Sequence, residues 1–581
     1  MFGHRLRWAL VLVGVVVVAL VGYTGWQALQ ARHDLEQVSA DFQSLSSQLT
    51  SGDQDAAQQT LVLTQEHANA ARRHTRGPGW WLAVRVPGVG PNVDAVRTVA
   101  DLADNLSTQV LPDVVDATGV LRPDRMRPTG GRIDLAPISE VAPRVVRAAG
   151  RLTTQSNRAE AIDTSRLLPQ VAVPVRRLQD RLRDAAVLTG RASRAVQLLP
   201  PMLGAGSERT YLMFFQNNAE LRSTGGLPGS FATVRARDGK VTMGNQGSAS
   251  SVGSFDRPPT ELTAEERVLF GPNMGVLPQD TNFTPDFPRT AQLLAAMWNA
   301  RHADKVDGVL STDPVALSLL LRGTGPVGLP GGVSLTAQDA VGMLLNQVYA
   351  QIADPAQQDG FFKVAAKSVF DAVSSGQGEP KAVLASLVTA TEQRRIMLWS
   401  GNAREQALLA PTRLGGSLTS PPSSTPHIGV FLNNGGGSKL DYFLDHRVDV
   451  TSSRCQAGRQ HLTVTLGLRS QVPADPGGLS DSIAKNAVGI PRGLIRITLF
   501  VYAPAGGYLD AATYDGQQRE LAERTHDGRT VVAQTVDVEP GSKHTLTYRM
   551  VTAKGQTART DLQVTPGARS DGMGTVGPSA C

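Results

Sequence analysis

Tyr211-Leu-Met-Phe-Phe-Gln-Asn-Asn-Ala-Glu-Leu-Arg-Ser-Thr-Gly-Gly-Leu-Pro-Gly-Ser-Phe231 is the stretch around which this chain is organised. Its first five residues are short, continuous and aromatic, the pattern of a strand buried on both faces. Four polar side chains follow at once: Asn217, Asn218, Glu220 and Arg222. Gly225-Gly226 and Gly229 then let the backbone turn where a Cβ would clash. Asp238-Gly239, between two β-rich runs, is a hairpin signal. A buried strand that delivers amides, a carboxylate and a guanidinium onto a glycine-rich turn makes a candidate binding edge. The same groups would equally serve to cap the strand and pair with one another.

From this strand to about residue 412 strands and helices alternate, which predicts an α/β sandwich with a mixed sheet over 206–412. Val306–Thr312 reads as a strand, and Asp313-Pro314 starts a helix with a capping Asp and Pro at the first helical position. Thr336-Ala-Gln-Asp339 is a capping box, and Phe361–Val373 is a helix with its phenylalanines inward. Residues 413–426 are a linker by composition, ending in Ser-Leu-Thr-Ser-Pro-Pro-Ser-Ser-Thr-Pro. Beyond it the apolar period becomes two, as in Leu462, Val464, Leu466, Leu468 and in Ile495, Ile497, Leu499, Val501. That predicts an immunoglobulin-like β-sandwich over 427–581.

Upstream, Trp8 to Ala31 carries no charge, and Val11–Gly22 is almost pure Val, Leu, Ala and Gly. Such a span crosses a hydrocarbon core of ~30 Å as one helix. Arg5 and Arg7 precede it, so the positive-inside rule puts the N-terminus in the cytoplasm and the rest outside. A cleaved signal peptide is the competing reading, but no Ala-x-Ala site follows the run. The expectation is an uncleaved transmembrane anchor over 1–31. Leu35, Val38, Phe42, Leu45 and Leu49 then make a heptad seam, which fits either a coiled coil or a helix packed on its own neighbours. Residues 32–200 read as an antiparallel helical stalk. Its apolar loop, Trp80-Trp81-Leu82 to Val89-Gly90-Pro91-Asn92, would fold back onto lipid or cap the bundle. The fold class is thus multidomain α+β.

Composition narrows the function. The chain has 581 residues, 57 basic against 51 acidic, with nine lysines to 48 arginines. The excess is small and dispersed, which argues against nucleic acid. Cys455 and Cys581, the only cysteines, read as one disulfide pinning the tail of an exported domain. Gly-x-Ser-x-Gly, His-Glu-x-x-His and Walker motifs are missing. Ser482-Ile-Ala-Lys485 lacks the partner motifs of a penicillin-binding site, and the ten histidines are scattered, so no metal site is expected from them.

Asn-Asn-Ala-Glu-Leu-Arg-Ser-Thr-Gly-Gly resembles the signature of a bacterial family known as domain of unknown function 4012. Asp280-Thr-Asn-Phe-Thr-Pro-Asp-Phe-Pro288, Val306-Asp-Gly-Val309 and Gly325-Pro-Val327 resemble its other blocks. The order of blocks is also similar to that of the LytR–CpsA–Psr glycopolymer ligases, which share a single N-terminal anchor. That second resemblance implies a polyprenyl pyrophosphate held by arginines and aspartates, with transfer of its glycan. On it, Asp359, Lys363 and Lys367 correspond to the charged helix, with lysines where that family has arginines, and its Ser-x-Pro-Arg-Asp segment has no counterpart.

These readings lead to one expectation. The chain is a plasma-membrane, single-pass protein of the cell envelope that binds, with or without transfer, a phosphorylated lipid-linked glycan or wall polymer. Asn217, Asn218, Glu220, Arg222, Arg289, Lys363 and Lys367 are the candidate ligand-binding residues. Asp280 and Asp286 are the candidate catalytic carboxylates of a phosphotransferase, activating a sugar hydroxyl or holding a divalent cation such as Mg²⁺. The alternative is a non-enzymatic envelope scaffold that presents protein-binding surfaces.

Overall fold

The computed structural model describes residues 2–120, 127–418, 423–569 and 574–581, without the side chains of residues 2–14, 16 and 17. The chain divides into two compact units, Met1–Met126 with Asp134–Pro201, and Arg127–Ile133 with Met202–Cys581.

The first unit is helical. The long α1 (Phe2–Ser51) turns at Gly52, whose φ is 80°, and returns as α2 (Gln54–His74), capped by the Asp53 carboxylate accepting from the Ala56 N–H at 3.1 Å. The heptad seam is internal: Val38 and Phe42 pack with Ala68 and Ala103, and Leu45 and Leu49 with Ala57, Leu61 and Val115. Alanine and threonine on the buried face of α2 let the two helices approach closely. His67–Asp41 and His74–Asp34, each at 2.7 Å, cross-link the same hairpin. A short α3 (Pro78–Ala83) leads into α4 (Gly90–Asn105) and, through a π turn, α5 (Leu111–Val120). Then come α6 (Ala136–Glu160) and α7 (Pro169–Met202), joined through Leu102, Leu106, Leu152 and Leu182. Among the described residues no helix is long and apolar enough to cross a membrane. Half of the apolar run Val11–Gly22, on which the expected anchor rests, lies outside the residues whose side chains are described.

The second unit is built on the sheet β3-β2-β1-β4-β7. Its strands are β1 (Arg209–Asn217), β2 (Leu227–Arg237), β3 (Lys240–Ser248), β4 (Gly308–Thr312) and β7 (Met397–Ser400); β5 (Val327–Gly328) and β6 (Ser334–Leu335) form a separate ribbon. The sheet is mixed, with β1 antiparallel to β2 and parallel to β4. Asp238 and Gly239, with φ of 48° and 80°, make the expected hairpin turn. After α8 (Ala264–Phe270), α9 (Phe287–Arg301) covers one face, burying Phe287, Leu294 and Trp298 against Leu212, Phe214 and Val309. From β4 the chain enters α10 (Pro314–Thr324), whose cap is Asp313 accepting from the Ala316 N–H at 2.7 Å. The helix opened by Thr336 runs as α11 (Ala340–Gly342), a π turn over Met343–Gln347, and α12 (Val348–Gln351). α13 (Pro355–Ser374) and α14 (Pro380–Glu392) complete this part, followed after β7 by α15 (Ala403–Leu409).

Beyond residue 426 two five-stranded sheets share one core, to which the alternating residues Leu462, Val464, Leu466 and Leu468 and Ile495, Ile497, Leu499 and Val501 contribute. Cys455 and Cys581 form a disulfide, and the tail pairs through Val576 with Val450. The stretch expected as a linker is packed at its start: Leu418 is buried, its N–H donates to Asp286 at 2.8 Å and its carbonyl accepts from Arg529 at 2.9 Å.

The sheet and the sandwich belong to the same unit, and a buried carboxylate binds them. Asp313 accepts from Arg395 at 2.9 Å and from Asn218 at 3.0 Å, all three side chains being enclosed. Arg395 also donates to the Gly567 carbonyl and Asn218 to that of Pro566, in the segment after β17 (Asp561–Val564), the strand paired parallel to β8 (His427–Asn434). Removing one partner of a buried pair strands the other charge, whereas removing both does not. Asp313→Asn or Arg395→Met is therefore expected to cost about 3–5 kcal/mol in urea unfolding, with much of it recovered in the double variant. A single-variant loss indistinguishable from zero would refute this role.

Candidate functional site

The polar run after β1 divides between two places. Its second half is a joint. Leu221 enters the core of the sandwich, its N–H donating to Asp441 at 2.8 Å and its carbonyl accepting from the Asn434 N–H at 2.8 Å. Ser223 donates its N–H to Asn433 at 2.7 Å, and its carbonyl accepts from Thr565. Arg222 is buried, stacked 4.4 Å over the Phe283 ring and 3.4 Å from Asp280. Asn282 donates to Gln216, Thr224 and the Gly226 carbonyl, closing the loop on itself. Gly226 is required there: a Cβ would stand 2.3 Å from the backbone of Asn217.

Asn217 and Glu220 face a cavity of about 240 Å³. A bulge between Phe215 and Gln216 turns the end of β1, so that Phe215, Gln216 and Asn217 line it together with Leu227 and Ser230 of β2. Pro314 and Leu317 of α10, Leu344 and Leu345 of the π turn, and Phe362, Ala365 and Ala366 of α13 supply an apolar floor. Helices containing such π turns use them often at functional sites. The rim is polar. Glu220 pairs with Lys439 at 2.8 Å, Asn217 donates to the Tyr349 hydroxyl at 3.1 Å, and the Lys439 ammonium lies 4.7 Å from the Tyr349 ring. Burial, then the charges of Glu220 and Asp359, hold the Tyr349 hydroxyl above its ordinary range, so it is a neutral donor. Asp359 lines the cavity, and its carboxylate makes no hydrogen bond or ion pair among the described residues. With two carboxylates to one ammonium, the rim suits hydroxyl and amine groups and offers a phosphate a single direct cation.

The other expected site residues lie elsewhere. Asn218 is in the buried cluster with Asp313. Asp286 caps α9, accepting from the N–H groups of Leu418 and Arg289. Arg289 is held by both oxygens of Glu266 at 2.6 and 2.9 Å. Lys367 pairs with Asp371 on the solvent side of α13, and Lys363 has no hydrogen bond or ion pair among the described residues. Asn217, Glu220 and Asp359 are thus brought together, while Arg222, Asp280 and Asp286 are absent from the lining of that cavity. Tyr349 and Lys439 are not among the residues that the sequence singles out. Gly435-Gly436-Gly437-Ser438 before Lys439 was the available signal, a flexible loop presenting a cation.

Residues 207–349 match the model of a family described as Protein of unknown function (DUF4012). The matched segment runs from just before β1 to Tyr349 and so includes Asn217 and Glu220, but not Asp359 or Lys439. No curated protein matches the chain.

Among the buried carboxylates of the second unit, Asp441 and Asp286 stand well above their ordinary range. Burial pushes Asp441 up to about 7 and Asp286 up to about 6, against the hydrogen bonds each accepts. The folded state therefore holds these protons more tightly than the unfolded chain. Their contribution to stability is complete below the unfolded carboxylate value of about 4 and is lost as pH rises through about 6 to 7. The thermal midpoint of the second unit is expected to fall between about pH 5 and pH 8, and Asp441→Asn to flatten that fall. An identical slope in the variant would contradict the assignment.

Proposed function

We propose that the chain is a single-pass membrane protein of the cell envelope whose second unit binds an amphipathic ligand of the lipid-linked-glycan class. The observation that carries this is the cavity, an apolar floor closed by a rim of Asn217, Glu220, Tyr349, Asp359 and Lys439. Its size suits the junction of a lipid tail and its head group rather than a polymer. Lys439 would meet a phosphate, while Glu220 and Asp359 accept sugar hydroxyls. A diphosphate would bring a divalent cation such as Mg²⁺ between itself and those carboxylates.

Export is supported by the Cys455–Cys581 disulfide, since such bonds persist in oxidising compartments. The charge-free run from Trp8 to Ala31, behind Arg5 and Arg7, supports an anchor with its N-terminus in the cytoplasm. The likeness to the LytR–CpsA–Psr ligases supports the ligand class by order of blocks, and the immunoglobulin-like reading of the sandwich fits an envelope protein. We read the activity as binding without transfer, because Asp280 is engaged with Arg222 and Asp286 with backbone amides. The scaffold reading draws on one observation, the absorption of Leu221 to Thr224 into contacts internal to the unit.

The test is purification of the full chain from native membranes, with mass spectrometry of extracted lipid. Wild type is expected to carry a polyprenyl or glycosylated lipid, and Lys439→Glu and Ala366→Phe to lose it while keeping the native circular-dichroism spectrum. A wild-type protein free of lipid, or variants that retain it, would overturn the proposal.

A further inference from the structure

The first unit exposes an apolar patch that its helical packing does not explain. Trp80 and Trp81 are adjacent in α3 yet face opposite ways: Trp80 is buried, and Trp81 is 55% exposed. Leu82, Val86 and Val89 follow at 46, 47 and 50% exposure. Leu168, 58% exposed, adjoins them, because its N–H donates to the Asn92 side chain at 2.8 Å. Such contiguous exposure marks an interaction surface. Arg85 is the only charged residue between Arg76 and Asp94. Its guanidinium lies 3.6 Å over the Trp81 ring, with a hydrogen bond to the Trp81 carbonyl.

The place of the patch identifies its partner. α3 packs on α1 at Thr24: a Cβ on Gly79 would stand 1.9 Å from Thr24 Oγ1, and Gly79 has an ordinary φ, so its need is steric. Thr24 is two residues past the apolar run Val11–Gly22, or about 3 Å along the helix. A span of about 20 residues counted from Trp8 ends at Gln27, within one helical turn of Thr24. Tyr23 and Trp26, stacked on each other and more than half exposed, flank it on α1. Aromatic side chains with basic residues beside the end of an apolar helix, here Arg85 over Trp81 and the basic last turn of α2 against Trp26, are the composition of a membrane–water boundary.

We propose that α3 and the loop to Gly90 form a collar that rests in the outer interface of the bilayer against α1, with a lipid surface as its partner. Trp81, Leu82, Val86 and Val89 enter the boundary between head groups and acyl chains, and Arg85 reaches lipid phosphate from the Trp81 face. The collar holds the helical unit at a fixed tilt to the membrane instead of leaving it to swing on a single helix. This inference rests on the reading of α1 as a membrane anchor.

The test uses the full chain in phosphatidylglycerol-containing liposomes, with single cysteines carrying nitroxide labels at Leu82, Val86, Val15 and Val187. Power-saturation measurements compare collisions with oxygen and with a water-soluble nickel chelate. Labels at Leu82 and Val86 are expected at a depth of about 5–10 Å, with Val15 deeper and Val187, on exposed α7, in water. Gly79→Val is expected to return the Leu82 label several-fold towards aqueous accessibility without moving Val15. Aqueous Leu82 and Val86 with Val15 in lipid would overturn the collar and leave the anchor standing. Val15 in water would overturn both. Dipolar broadening between Leu82 labels would assign the patch to a second copy of the chain and overturn the lipid proposal.

Discussion

The second unit depends on one carboxylate. Asp313 ends β4 and caps α10, and it also accepts from Arg395 and Asn218, which hold the carbonyls of Gly567 and Pro566. A charge with almost no access to water must be satisfied on every side. Satisfying it draws three parts of the chain together: the end of β1, the approach to β7 and the segment after the last strand. Segments more than two hundred residues apart become one cooperative body. The cavity lies beside this point, so its walls inherit the rigidity of the ion cluster.

The segment after β1 is a joint with two faces rather than one continuous edge. Leu221 and Ser223 face inward and join sheet to sandwich, Thr224 bonds back to Gln216 of β1, and Asn217 and Glu220 turn towards the cavity. The division follows from local geometry. The bulge at Phe215/Gln216 breaks the alternation of the strand, and the close approach at Gly226 folds the loop back over it. The cavity wall and the joint between sheet and sandwich therefore share one decapeptide, and Lys439 ties Glu220 to the loop after β8.

Much of this was legible in the residues. The buried β1 strand, the Asp238-Gly239 hairpin, the Asp313 cap, the two-residue period of the sandwich and the disulfide each have a local cause, and each is found. The heptad seam was ambiguous because period alone does not name the partner; Gly52 and the alanine face of α2 decide for an internal hairpin. What period could not show is which polar groups meet across long separations. Arg222, Arg289 and Asp286 have the composition of a site, but they pair with Asp280, Glu266 and the Leu418 amide and do not line the cavity. Tyr349 and Lys439 reach the cavity from elements 90 residues apart, a proximity set by topology alone.

The claim that the signature joins sheet and sandwich is tested most directly by native-state hydrogen exchange on the amides of Leu221 and Ser223. If the account is right, both exchange only through global opening, with the same free energy as Val430 and Leu432 in β8. Exchange of those two amides by local fluctuation, well before the sandwich opens, would show the segment to be a surface loop and would contradict it.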